Sequence, residues 1–351
     1  MMVALLSGVV ALALALELLA RGLAKVVDEP LWWHDLVTQR KEAQLRRLAR
    51  NGPIDVIVIG TSMTLYGVDP DPLVRATGLR CYNASIYRGV PSVSARWMTD
   101  VVLPVARPRL VLIEVAPLIV NDNSPLTSRL EEYLAAPAHR LSRGQRLRRR
   151  CEDRSYAVRH AGLVRRPRAF ARALRELARR PGLLGWRVPL EVEGRLGPLG
   201  QGTDLLERSY RNGPKMRELI RQQAQTDFND GGVQSGALRE MARSSRARGA
   251  QVVYLMLPVP TEMLDEMFVG GRTNWIAMKE DLRRLAAEEQ VPLMDVTDDF
   301  EDSSYYADMV HLNGRGRDAF SQRVAAALVQ HLAGALPGAN DARRQADSHA
   351  V

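Results

Sequence analysis

Short apolar runs that alternate with helical patterns constrain this fold more than any other feature of the chain. The first run, IDVIVIG at 54–60, is rich in β-branched residues and is bounded by Pro53 and Gly60. Runs of this length are typical of buried strands in a parallel sheet. Similar runs occupy 79–83, 109–115, 251–257 and 292–296, and helical patterns lie at 236–248 and 276–290. The alternation predicts an α/β domain with a central parallel sheet and helices on both faces.

The runs place the main domain at 53–335. The charged, helix-favouring stretch at 36–50 is closed by Asn51-Gly52-Pro53, which stops a helix. We therefore predict a helical linker at 28–52. The tail at 336–351 lacks apolar periodicity and is predicted to be disordered.

The amino-terminal segment is strongly apolar. No charge occurs from Met1 to Leu16, and Glu17 alone interrupts the run before Arg21. The run approaches the roughly 20 residues that span a bilayer. We predict an uncleaved transmembrane anchor or signal-anchor at 1–27; the alternative is a helix docked on a soluble domain.

Residues that follow the apolar run bear on its orientation and surroundings. Trp32 and Trp33 fit either a membrane-interface belt or a buried aromatic pair. The positive-inside rule would place the body of the protein inside the cell. The charges concerned are Arg21, Lys25, Arg40 and Lys41.

A basic insertion interrupts the alternation at about 124–230. Between 140 and 180, arginines outnumber acidic residues by 15 to 3, within a chain of net charge +9. The stretch reads as largely helical, and either as an amphipathic element for an anionic lipid surface or polymer or as a solvated cap. It lacks the interleaved aromatics and the motifs of nucleic-acid binders. No nucleic-acid partner is therefore predicted.

The cysteine count is low. Cys81 and Cys151 are the two cysteines of the chain, too few for a disulfide-dense scaffold or a four-cysteine zinc site. Whether they pair is left open by the sequence.

Two motifs carry candidate chemistry. Ser62, in Gly60-Thr61-Ser62, follows the first run, at the edge of the sheet where ligands of open α/β folds bind. Near the other end, Asp308 precedes His311 by three residues in YADMVHLN. That spacing lets a carboxylate contact one imidazole nitrogen while the other takes a proton from a serine hydroxyl. The order Ser, Asp, His predicts a catalytic constellation.

The motifs GTS and DMVHLN resemble the first and last blocks of the SGNH/GDSL serine hydrolases. The resemblance covers about 54–335, without the basic insertion. It implies a three-layer α/β/α sandwich with a flavodoxin-like parallel sheet and no metal or organic cofactor. By this resemblance Ser62 is the nucleophile, His311 the general base and then acid, and Asp308 its orienting partner.

The middle blocks depart from the family pattern. The first block is GTS rather than the usual GDS. The second resembles YNASIYRG, with Asn83 in place and Gly89 slightly displaced. The third should offer Gly-x-Asn-Asp, but the chain has EVAPLIVNDN, so Asn121 comes several residues late. The resemblance implies an oxyanion hole built from Ser62, Gly89 and Asn121.

GTS, YNAS, EVAP and the segment at 234–260 are most similar to membrane-anchored SGNH-like proteins that accompany polysaccharide or teichoic-acid O-acylation. This similarity implies an esterase or O-acyltransferase that acts on acetyl-type esters of a cell-envelope glycopolymer through an acyl-serine. It also implies a catalytic domain outside the cytoplasm and a membrane-bound acyltransferase as partner. The alternative is a catalytically inactive relative with a structural or polymer-binding role.

Overall fold

The structure is a computed structural model of the 351-residue chain. It describes residues 2–26, 36–124, 151, 155, 157, 196–211, 213–224, 228–229, 232–298 and 300–335. Most of the predicted basic insertion, the Trp32–Trp33 pair and the tail from 336 lie outside these residues. What the sequence predicts for them stays a prediction.

Within the described residues, five strands form one sheet in the order β2-β1-β3-β4-β5, and all four neighbouring pairs are parallel. Every residue of the first three strands is buried, as expected when helices cover both faces of a sheet. Each of the five apolar runs supplies one strand, so the predicted α/β fold with a parallel sheet is confirmed. The strands are β1 (Val56–Ile59), β2 (Cys81–Asn83), β3 (Leu110–Val115), β4 (Gln251–Met256) and β5 (Leu293–Met294).

The helices of the described residues pack against this sheet and against each other. Helix α4 packs on α10, and α5 packs on α8. Two π-helical segments cover Met98–Val102 and Met263–Met267, and two 3₁₀ turns cover Pro117–Val120 and Ser303–Tyr305. The α-helices are α1 (Met2–Val26), α2 (Leu36–Ala49), α3 (Ser62–Gly67), α4 (Pro70–Thr77), α5 (Pro91–Trp97), α6 (Leu103–Ala106), α7 (Pro214–Ala224), α8 (Val233–Arg246), α9 (Gly271–Glu288) and α10 (Gly314–Ala335).

The chain divides into two compact units. One comprises Met1–Gln39 and Ala136–Glu193, and the other comprises Arg40–Ala135 and Gly194–Val351. The whole sheet belongs to the second unit. The predicted boundaries at 27 and 52 are not tested by this division and stay predictions.

Helix α1 belongs to the first unit. Its Glu17 carboxylate accepts hydrogen bonds from the Ser155 hydroxyl at 2.8 Å and from the Ala157 N–H at 3.1 Å. Among the residues for which the structure gives a description, no helix combines the length and the apolar character needed to cross a membrane.

Lys41 fastens the second half of α2 to the edge strand β2. Its side chain is fully buried, and its Nζ donates to the carbonyl oxygens of Asn83 and Gly200. The Tyr82 hydroxyl donates in turn to the Lys41 carbonyl at 3.1 Å. Burial lowers the pKa of Lys41 well below its ordinary value. This part of α2 is therefore part of the packed domain.

We expect Lys41→Ala to destabilise the protein. The substitution opens a cavity and leaves two buried carbonyls without their donor, so the free energy of unfolding should fall by about 3 kcal/mol. Urea denaturation measures this change. On the same helix, Arg46→Ala removes an exposed ion pair with Glu42 and should change the value by less than about 0.5 kcal/mol. Equal stability of Lys41→Ala and wild type would contradict a structural role for this lysine.

Candidate active site

Ser62 lies where the chain leaves the central strand β1. The strand ends at Ile59, and α3 begins at Ser62. Thr61 caps this helix, because its Oγ1 accepts a hydrogen bond from the Met63 N–H at 3.1 Å. A Cβ atom on Gly60 would lie 2.1 Å from the Glu114 Oε2, so only glycine fits there. The local sequence therefore presents a serine at the carboxyl edge of the sheet on a sharp strand-to-helix turn.

Asp308 and His311 lie on a tightly bonded loop before α10. Tyr306 and Leu312 form an isolated antiparallel β-bridge, and the Ala307 N–H donates to the His311 carbonyl at 2.8 Å. The Asn313 side chain donates to two carbonyls of the same loop, and its Oδ1 accepts a hydrogen bond from an N–H in the first turn of α10. The loop is therefore held at both ends.

The structure brings Ser62, His311 and Asp308 together. The His311 Nε2 lies 2.8 Å from the Ser62 Oγ, although the two residues are 249 positions apart in the chain. The His311 Nδ1 lies 2.9 and 3.0 Å from the two carboxylate oxygens of Asp308. These distances form one continuous hydrogen-bond chain from the hydroxyl to the carboxylate.

The electrostatics of Asp308 suit an orienting role. Burial by itself would raise the pKa of this carboxyl, but His311 and the N–H groups of Val310 and His311 outweigh burial. The pKa of Asp308 is thereby held below its ordinary value of 3.8. The carboxylate stays ionised at neutral pH and can stabilise a protonated imidazole.

Tyr66 packs edge-on against the His311 ring. The ring centroids lie 5.4 Å apart at an angle of 83°, and the Tyr66 hydroxyl donates to Asp204 at 3.3 Å. This contact restrains the imidazole from the side that faces α3. Tyr66, which lies four residues after Ser62 on the same helix, was not predicted as part of the site.

The three predicted oxyanion donors differ in their surroundings. The Ser62 N–H donates to no acceptor among the described residues, so it is available to a negatively charged oxygen. The Gly89 N–H donates to the Ile86 carbonyl at 3.1 Å. Asn121 is fully buried, and its Oδ1 accepts hydrogen bonds from two loop N–H groups at 3.0 Å. The oxyanion roles of Gly89 and Asn121 stay predictions.

The turn at 86–89 packs directly against the Ser62 turn. The Ile86 N–H donates to the Gly60 carbonyl at 3.0 Å, and a Cβ on Gly89 would lie 3.0 Å from that same oxygen. Arg88, one residue before Gly89, has a φ of 59°, which is the left-handed conformation that glycine adopts most easily. Because Gly89 is displaced from the position expected for the family, the residue in the left-handed conformation of this turn is an arginine.

Asn83 connects this region to α3. Its Nδ2 donates to the carbonyls of Thr64 and Val68, and its Oδ1 accepts a hydrogen bond from the Ser85 N–H. The asparagine that the resemblance singled out in YNAS therefore holds the helix that begins at Ser62.

Glu114 is a residue of the site that sequence reasoning missed. It is 1% exposed, and its carboxyl accepts hydrogen bonds from the N–H and hydroxyl of Thr61 and from the hydroxyl of Thr64. Burial raises the pKa of Glu114, and the hydrogen bonds from Thr64 and Thr61 offset that only in part. One signal in the sequence could have indicated its role: an acidic residue lies inside the apolar run RLVLIEV. Because glutamate is rarely buried without partners, such a residue is expected to have hydrogen-bond donors nearby.

The remaining candidate ligands do not cluster. The described residues contain no group of three or more His, Cys, Asp or Glu side chains that could hold a metal ion. Cys81 is buried, Cys151 is exposed, and both are free thiols. Burial raises the pKa of Cys81 to about 12, so it is a poor nucleophile.

Comparison with known proteins adds little to this geometry. No family model matches the sequence, and no curated protein matches it. Among solved structures, the chain is similar to a protein of Bacteroides fragilis described as a "putative acylhydrolase". The TM-score is 0.40 and the identity 11%, over 85% of this chain and 99% of that chain. Function must therefore be argued from the site itself.

We expect Asp308→Asn to change how stability depends on acid. Because the pKa of Asp308 is lowered by folding, its contribution to stability is present above the unfolded pKa and is lost as pH falls through the folded one. The variant lacks this contribution, so its unfolding free energy should vary less steeply than that of wild type between about pH 2 and 5. Thermal unfolding across that range checks the prediction, and identical slopes would contradict it.

Proposed function

We propose that this protein is a serine-dependent acyl-ester hydrolase or acyltransferase. One observation carries the proposal: the hydrogen-bond chain from the Ser62 Oγ through His311 to Asp308. A nucleophile, a base and a group that orients the base are in hydrogen-bond reach of one another, which is the arrangement that activates a serine.

The proposed reaction has two stages. In the first, the Ser62 Oγ attacks the ester carbonyl carbon while its proton passes to the His311 Nε2, and the Ser62 N–H donates to the oxyanion. His311 then gives this proton to the leaving alcohol, and the acyl group remains on Ser62. In the second stage, His311 takes a proton from water or from an acceptor hydroxyl, which attacks the acyl-serine. The acid or the new ester departs, and the proton returns to the Ser62 Oγ.

The fold proposed for this activity is the SGNH-type three-layer sandwich. In the order β2-β1-β3-β4-β5, the chain goes from β1 to β2 on one side, and then crosses to β3 on the other side of β1. Right-handed crossovers then put α4 on one face and α5 with α8 on the other. The pairing of α4 with α10 and of α5 with α8 supports this arrangement.

The natural substrate and the location are proposed from the sequence alone. The uncharged stretch from Met1 to Leu16 supports attachment to the cell membrane through 1–27. The resemblance to membrane-anchored SGNH-like proteins, and not the positive-inside rule, supports a catalytic domain outside the cytoplasm. The arginine density of 140–180 supports an anionic glycopolymer or lipid surface as a binding partner. A membrane-bound acyltransferase is proposed as a further partner. The hydrolase would then act on acetyl-type esters of a cell-envelope polymer.

We expect Ser62→Ala and His311→Ala each to abolish ester hydrolysis. With p-nitrophenyl acetate, the rate should fall by at least about 1,000-fold in either variant, because serine and histidine act as one unit. Ser92→Ala is the matched control, since the Ser92 hydroxyl has no hydrogen-bond partner among the described residues and its loss should leave the rate unchanged.

A folded wild type that neither hydrolyses the ester nor reacts with a fluorophosphonate would contradict the proposal. That result would favour the alternative, a catalytically inactive SGNH-fold protein with a structural or polymer-binding role.

The membrane proposal predicts how the protein fractionates. The full chain should stay with membranes during alkaline carbonate extraction, whereas a chain that begins at residue 28 should be released. Release of the full chain by carbonate would show that 1–27 is not an anchor. Immunoblotting of pellet and supernatant distinguishes the two results.

A further inference from the structure

Glu114 is a buried acid that the proposed reaction steps do not use. It lies on β3, which pairs with β1 in parallel register so that Ile113 faces Ile59. One residue further along the chain, Glu114 lies beside Gly60, which directly follows β1. Because glycine has no Cβ, the carboxyl fits directly beneath the turn that carries Ser62.

All hydrogen bonds that the described residues make to this carboxyl come from the Ser62 turn. The Oε2 accepts from the Thr61 N–H at 2.6 Å and from the Thr64 hydroxyl at 2.5 Å. The Oε1 accepts from the Thr61 hydroxyl at 2.8 Å. A side chain that served only to pack the core would have no reason to accept all of its hydrogen bonds from one turn.

The three bonds fix the backbone on both sides of the nucleophile. Before Ser62, the Thr61 N–H is held by the carboxyl. After Ser62, the Met63 N–H donates to the Thr61 Oγ1, whose own proton is directed to Glu114, so that a lone pair is left for Met63. The residue between them has little freedom to rotate.

We infer that Glu114 is a positioning residue, which holds Ser62 so that its Oγ meets the His311 Nε2. This role rests on the proposed function. It predicts that loss of the carboxylate slows attack by Ser62 while substrate binding is nearly unchanged, because the carboxyl touches no part of the substrate.

The test is Glu114→Gln, measured by the rate at which a fluorophosphonate labels Ser62 and by kcat and KM for p-nitrophenyl acetate. The amide has the size of the carboxyl but offers one acceptor oxygen in place of two. We expect the labelling rate and kcat to fall about tenfold while KM stays within about twofold, since small errors in positioning act on the reaction step. Labelling at the wild-type rate would overturn the inference.

A matched control separates positioning from general stability. Tyr254 lies on β4, the strand that pairs with β3, and its hydroxyl donates to the Leu238 carbonyl of α8, so Tyr254→Phe removes one buried hydrogen bond of the sheet. This variant should label at the wild-type rate even where its melting temperature falls. A tenfold loss in Tyr254→Phe as well would show that any damage to the sheet slows Ser62, and would overturn the inference.

A second pair of variants keeps the test decisive if Glu114→Gln does not fold. Thr64→Val removes one donor to the carboxyl, and Thr64→Ser keeps it. We expect Thr64→Val to label about threefold more slowly and Thr64→Ser to match wild type, in line with the loss of one buried hydrogen bond to the carboxyl. Equal rates for the two would contradict the role of Glu114.

The outcomes also separate this inference from the proposed function. If wild type does not label, the proposed function is wrong, and the positioning role is wrong with it. If wild type labels and Glu114→Gln labels equally fast, the serine centre stands and only the role of Glu114 is wrong.

Discussion

The parallel pairing of β1 with β3 fixes the geometry on which the site depends. This register brings Gly60 beside Glu114, and the absent side chain of the glycine makes room for the carboxyl. The carboxyl then sets the first turn of α3, and that turn presents Ser62 to His311 at 2.8 Å. A shift of one residue would turn the acid to the opposite face of the sheet.

The short helix α3 is held from both neighbouring strands. From β3, the Glu114 carboxyl accepts hydrogen bonds from Thr61, which caps the start of the helix, and from Thr64 within it. From β2, the Asn83 amide donates to the carbonyls of Thr64 and of Val68, which caps the end. Six residues are too few for a stable isolated helix, so these buried hydrogen bonds define its position. Two polar side chains of the sheet, Glu114 and Asn83, therefore fix the helix that carries Ser62.

The sequence was sufficient for the parts of the structure that local pattern determines. The short apolar runs predicted all five strands, and the spacing of Asp308 and His311 predicted the contact between them. The roles of Glu114 and Lys41 were not predicted, because the partners of a buried ionisable group depend on which strands are neighbours. A linear pattern does not contain that information. Thr61 was visible only as a departure from the usual GDS, although its hydroxyl links Glu114 to the Met63 N–H.

The attachment of α2 through Lys41 has a mechanical consequence. Lys41 bonds the carbonyls of Asn83 and Gly200 beside the edge strand β2, whereas Asp308 and His311 come from the loop before α10. Tension applied to the chain ahead of residue 40 would load those two carbonyl bonds first. The strain would reach Asn83, and through it the far end of α3, before it reached the histidine loop. Lys41 and Asn83 therefore connect the point where the chain enters the domain to the helix that carries the nucleophile.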